Sequence, residues 1–120
     1  MVDDYMLSRG EGRTEVQLKT QWMGSDPVIF IFNKNAHIGS VSVGEYDPVT
    51  RRTSTSMITR LGHKDDAVAQ KAAYRISKAC KKPVCVIAGI HLEDISSQEI
   101  GEILGNTQGI VDEFLQLISE

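Results

Sequence analysis

The sequence predicts an α+β fold: a single domain with a mostly antiparallel sheet of five to six strands and two helices, in the order β-β-β-β-α-β-α. Three observations carry this reading. Residues 13–22, 39–44 and 52–61 alternate apolar and polar side chains with a period of two, as in half-buried strands. After Gly62 the period changes, and residues 67–82 form an Ala- and Lys-rich run without Gly or Pro until Pro83, the composition of a helix with a defined stop. A second pattern with a period near 3.6 closes the chain behind Ser96. At 120 residues, 41% hydrophobic and 24% charged, the chain suits one globular core rather than disorder.

Residues 1–12 are polar and punctuated by Gly10 and Gly12, and read as a flexible leader to a domain spanning residues 13–120. They lack the apolar stretch of a secretory signal. The longest apolar run, residues 28–32, is far short of the roughly 20 residues a membrane helix needs, so the expected location is cytoplasmic. The first strand covers residues 13–22, with Val16, Leu18, Thr20 and Trp22 facing one way and Glu15, Gln17, Lys19 and Gln21 the other. Gly24-Ser25-Asp26-Pro27 reads as a turn. Residues 28–32 (Val-Ile-Phe-Ile-Phe) are apolar on both faces, so both faces of that strand should be covered. Residues 33–36 read as a hairpin loop. The third strand alternates Gly39, Val41 and Val43 with Ser40 and Ser42 and ends at Gly44. After the Asp47-Pro48 turn, residues 52–61 alternate again.

Asp65 or Asp66 would cap the first helix, whose apolar face is Val68, Ala69, Ala72, Ala73, Ile76, Ala79 and Cys80. Residues 84–90 are a short strand rich in β-branched side chains. Ser96-x-x-Glu99 is a capping box that opens the second helix, with Ile103, Ile110, Val111 and Phe114 among its core-facing residues. Gly101, Gly105 and Gly109 recur every four residues. They read either as a smooth ridge for close packing or as a break of the helix near Gly105. Two helices suffice for one face of the sheet. Large apolar side chains left in water on the other would cost about 1.5–3 kcal/mol each, which predicts a homo- or heterodimer formed through the sheet face.

Charge is sorted along the chain. Residues 51–82 hold nine cations against Asp65 and Asp66, a net +7. Residues 83–120 hold no Lys or Arg and seven acids, a net −7. Lys64, Lys71, Arg75, Lys78 and Lys82 fall on one helical stripe. A solvated face, a docking surface for an acidic protein and a nucleic-acid site all fit such a stripe. The last is disfavoured by a formal charge of −3 and by the absence of interleaved aromatic residues.

Catalytic signals are missing. His37, His63 and His91 lack metal-ligand spacing, and Cys80 and Cys85, five apart, match no zinc or redox motif. There is no G-x-S-x-G, no G-x-G-x-x-G and no P-loop. The residues therefore indicate no enzyme and no cofactor. The competing possibility is a small-molecule- or metal-binding protein, or a minor enzyme, with a pocket near His63 and His91.

Three segments carry a family resemblance: Pro27-Val28-Ile29-Phe30-Ile31-Phe32, Ile38-Gly39-Ser40-Val41-Ser42-Val43, and Ser54-Thr55-Ser56-Met57-Ile58-Thr59-Arg60-Leu61-Gly62. With the Ala-Gln-Lys-Ala-Ala helix at residues 69–73, Lys82-Pro83-Val84-Cys85-Val86 and the closing helix, the chain resembles the third and fourth proteasome assembly chaperones, most like the fourth. The likeness spans about residues 24–118 and involves core and turn positions. It implies a cytosolic, non-enzymatic chaperone that dimerises through its sheet and binds α-type proteasome subunits during assembly of the α-ring. No ligand residue is carried over by the likeness. The basic stripe is the partner-binding surface suggested by the charges.

Overall fold

The structure, a computed structural model, describes residues 4–60 and 66–119. Six strands, β1 (Met6–Arg9), β2 (Val16–Met23), β3 (Asp26–Phe32), β4 (Ser40–Asp47), β5 (Arg52–Thr59) and β6 (Val84–Gly89), form one sheet in the order β1-β2-β3-β6-β4-β5. Helices α1 (Asp66–Cys80) and α2 (Ser97–Ile118) cover one face, and a single 3-10 turn, Gly12–Thr14, links β1 to β2. The α+β class and the two helices agree with the sequence. The sheet is mixed, because β3 pairs with β6 in parallel while every other pairing is antiparallel.

Three expectations need correction. Residues 6–9 are not a loose leader: they pair with residues 16–19 of β2 as an edge strand, which adds one strand to the predicted order. The Tyr5 amide donates to Thr20 Oγ1 at 2.7 Å, and the Tyr5 ring stands edge-on to Phe114 with centroids 5.7 Å apart. These contacts give the segment an anchor that its own polar composition does not announce. Secondly, Asp26 and Pro27 belong to β3, paired with Met23 and Trp22, so the turn contracts to Gly24 and Ser25. Thirdly, residues 33–36 do not close a hairpin, since β6 lies between β3 and β4. The predicted cap Asp65 lies outside the described residues, and Asp66 is the first residue of α1.

The position of β6 fixes the rest. Both β5 and β6 are antiparallel to β4 and flank it, so α1 is the crossover between two parallel strands and must lie across β4. The helix-facing row of β4 is Ser40, Ser42 and Gly44, all buried, and α1, whose buried side carries Ala69, Ala72 and Ala73, comes against Gly44 at Ala73 and Ser77. Small side chains on both sides bring the helix close to the sheet. A Cβ on Gly44 would stand 2.5 Å from the Ala73 carbonyl oxygen. Around this contact the core holds Val16 and Leu18 of β2, Ile29 and Ile31 of β3, Val84 and Val86 of β6, Ile76 of α1, and Ile110 and Phe114 of α2.

Helix α2 is continuous through Gly105. A Cβ at Gly101 or Gly105 would meet open space, whereas one at Gly109 would strike the Arg9 side chain. The three glycines are therefore neither a packing ridge nor a break, and only Gly109 makes room for a neighbour. The capping box forms as read: Glu99 N donates to Ser96 Oγ at 3.1 Å and Ser96 N to Glu99 Oε1 at 3.0 Å. Glu99 also accepts from Arg13 Nε at 2.7 Å. The Arg13 hydrogen bond, assisted by the Ser96 amide, lowers the Glu99 carboxyl from 4.5 to about 2.

Two predictions follow from this packing. Gly44→Val should overpack the helix–sheet contact and cost about 1–3 kcal/mol, read as a lower urea midpoint at unchanged slope. The contribution of Glu99 should be complete above its unfolded value near 4.5 and fade as pH falls towards about 2. The gap in thermal midpoint between the native protein and Glu99→Gln should then be constant above about pH 5 and close in acid, and a pH-independent gap would contradict it.

Candidate functional site

Two surfaces stand out, one on each side of the sheet. The uncovered face carries an apolar band. Register places Phe30 of β3 beside Ile87 of β6, Ile87 beside Val41 of β4, and Val41 beside Ile58 of β5. Val28, Cys85 and Val43 form a second row alongside. Val43 is 44% exposed and Ile58 76%. On the β2 side the band ends in polar residues, with Lys19 opposite Phe30 and Gln17 opposite Phe32. This is the face expected from the doubly apolar run at residues 28–32.

A cleft of about 310 Å³ opens in this band between Phe30, Phe32 and Ile87, rimmed by Lys19, His37 and Ile38. Its outer wall is the loop at residues 36–38, which folds tightly over the end of β6. A Cβ on Gly89 would collide with the His37 carbonyl, and Gly39 N donates to Ala88 O at 2.9 Å. The His37 ring lies 5.2 Å from that of His91. His91 Nε2 is 2.9 Å from Glu93 Oε1, and its backbone is held at both ends by the Asn33 amide. The hydrogen bond with His91, and the electrostatic attraction between the two groups, lower the Glu93 carboxyl pKa. His91 is thus gathered with His37, while His63, its expected companion, lies outside the described residues. Among the described residues no group of three or more potential metal ligands comes together. Cys80 and Cys85 are free thiols, raised in pKa by burial.

The second surface lies between the helices. A trough of about 830 Å³ runs between Val68, Lys71 and Ala72 of α1 and Leu104, Thr107 and Val111 of α2. The members of the basic stripe fare differently around it. Arg75 forms an ion pair with Asp112, which ties α1 to α2. Lys82 Nζ donates to Ser25 O at 3.1 Å and secures the β2–β3 turn. Lys78 lies 5.7 Å from the centroid of the Tyr74 ring, a cation–π distance, so the stripe holds one aromatic residue after all, contrary to the sequence expectation. Lys71 lines the trough. Neither Lys71 nor Lys78 has an acidic partner among the described residues, and Lys64 lies outside them. Neither cavity was legible in the sequence, since each is bounded by segments distant along the chain. Among the described residues no helix is long and apolar enough to cross a membrane.

Comparison with known proteins agrees with this architecture. By structure the chain is similar to a protein in the crystal structure of a novel chaperone complex for yeast 20S proteasome assembly, with a TM-score of 0.63 over 98% of this chain and 94% of that one. At 14% identity the likeness is one of fold, and the proteasome-chaperone resemblance holds at that level. No curated protein matches by sequence. A family model, the prenylated flavin chaperone LpdD-like domain, matches residues 10–119. With nearly its whole length matched, the chain belongs to the family of prenylated flavin chaperone LpdD-like domains.

Proposed function

We propose that this protein is a non-enzymatic cytoplasmic chaperone that holds a prenylated flavin on behalf of another protein, and that it works as a dimer joined through the open sheet faces. The family match over residues 10–119 carries this reading. The sheet face supports it chemically. A flavin is a flat heteroaromatic ring, and a prenyl group adds apolar bulk. The cleft beside Phe30, Phe32 and Ile87 offers apolar contact, with Lys19 and His37 at its rim for polar or anionic atoms. Its volume lies at the lower end of the range for small-molecule sites. A second copy laid on the same face would deepen it and remove Val43 and Ile58 from water, at a gain of about 25 cal/mol per Å² of apolar surface.

A second reading is favoured by the fold likeness to the yeast proteasome assembly chaperone complex. On that reading the dimer binds α-type proteasome subunits during assembly of the α-ring, with the basic stripe of α1 as the contact.

Sedimentation at micromolar concentration should give a dimer for the native chain and a monomer for Val43→Glu; a native monomer would remove the dimer from the proposal. Fluorescence titration separates the two functional readings. A prenylated flavin should bind saturably and more tightly than its unprenylated parent, with at least tenfold weakening in Phe30→Ser. Absence of saturation up to roughly millimolar ligand would end the flavin reading. Co-purification with α-type proteasome subunits, lost in Arg75→Glu with Lys78→Glu, would establish the second.

A further inference from the structure

The trough between α1 and α2 is not accounted for by flavin binding or by dimerisation through the sheet, because it lies on the opposite face of the domain. Its walls are largely apolar, and its rims carry Leu104 (44% exposed) and Tyr74 (41% exposed). Ile100, one turn before Leu104 on α2, is similarly exposed and extends the apolar surface along the helix.

We propose that this trough docks a short amphipathic helix of a partner protein, with acidic residues flanking the apolar stripe of that helix. Shape argues for a helix. The α1 wall runs from Ala67 to Arg75, about 12 Å at 1.5 Å per residue, so it offers two turns of contact. The trough is open on its solvent side, whereas sites for small cofactors enclose most of their ligand. An open apolar channel between two helices suits side chains spaced i, i+3 or i+4, and i+7 on a third helix.

Charge argues for acidity. Of the cations along this side of α1, Arg75 is already neutralised by Asp112. Lys71 and Lys78 have no acidic partner among the described residues, and they stand two turns apart on the same stripe. A helix seated between Leu104 and Val68 would run past the Lys71 ammonium, which lines the trough, with Lys78 standing one turn beyond the Arg75 end of that wall, so carboxylates on its α1-facing side would meet Lys71 first. Such pairs at the rim set register and partner choice, and reversing one of the charges turns attraction into repulsion. Affinity would come from burying Leu104 and Tyr74.

The test uses the full chain and a fluorescein-labelled peptide of about 14 residues, four turns at 3.6 residues per turn, with Leu at i, i+3 and i+7 and Glu along one flank. Fluorescence anisotropy should show saturable binding. Leu104→Asp and Lys71→Glu should each weaken it at least tenfold, while Val49→Ser, in the exposed turn between β4 and β5, leaves it unchanged. A peptide with Lys in place of Glu should bind the native chain at least tenfold less tightly and recover on Lys71→Glu. That exchange of preference cannot arise from misfolding. Absence of binding, equal binding of a peptide with Ser in place of Leu, or indifference to both groove substitutions would overturn the proposal. So would competitive displacement by a prenylated flavin, which would assign the trough to the cofactor. Flavin binding is measured separately and stands or falls on its own titration.

Discussion

The structure depends on the seating of α1 across β4. Because β5 and β6 lie on either side of β4 and run parallel to each other, the chain between them must pass over β4. Only small residues let it pass closely. Ser40, Ser42 and Gly44 below, with Ala73 and Ser77 of an alanine-rich helix against Gly44 above, exchange side-chain volume for backbone proximity. The second helix follows another rule, packing Ile110 and Phe114 against the larger Val16 and Leu18. The sheet is thus clad on one side by two helices of different character, and a trough remains where they part. On the other side it keeps the apolar band that a central strand such as β3 cannot avoid presenting.

The charge pattern along the sequence gains a structural meaning from this arrangement. A positive helix beside a negative one suggests mutual neutralisation, yet Arg75–Asp112 is the one ion pair between them among the described residues. The other acids of α2 turn to the N-terminal segment. Glu99 holds Arg13, Glu102 accepts from Thr14 Oγ1 at 3.0 Å, and Glu113 lies 3.9 Å from Arg9. These contacts lie at the surface, where each contributes little to stability. They direct the negative charge away from α1, and so leave Lys71 and Lys78 without internal partners.

What the sequence revealed and what it withheld divide along the range of the interactions concerned. Strands β2 to β6, both helices and the Ser96–Glu99 box are set by local periodicity and capping, and could be read directly. The apolar outer face was legible because residues 28–32 have no polar alternate. The partner of β3 was not, since residues 33–36 have the turn chemistry of a hairpin and nothing local tells which strand will lie alongside. Met6–Arg9 escaped because a short edge strand with exposed Ser8 and Arg9 has no alternation to show. Gly105 looked like a helix breaker, but burial of Ile103, Thr107 and Ile110 around it outweighs the roughly 1 kcal/mol that a helical glycine costs. The histidine pairing of His37 with His91, and the unequal use of the basic stripe, arise only once distant segments are brought together.

The central place of β6 has a consequence for how the protein is made. During synthesis β3 leaves the ribosome long before β6, with Val28, Phe30 and Phe32 on one face and one edge unpaired. Its neighbour β4 can form its pair with β5, but neither hairpin can join the other until the strand that separates them has emerged. Parallel pairing across a long connection is slow to form, and in that interval two half-sheets offer bare edges to other nascent chains. A protein of a chaperone family thus passes through a vulnerable interval of its own, ended by the six residues of β6.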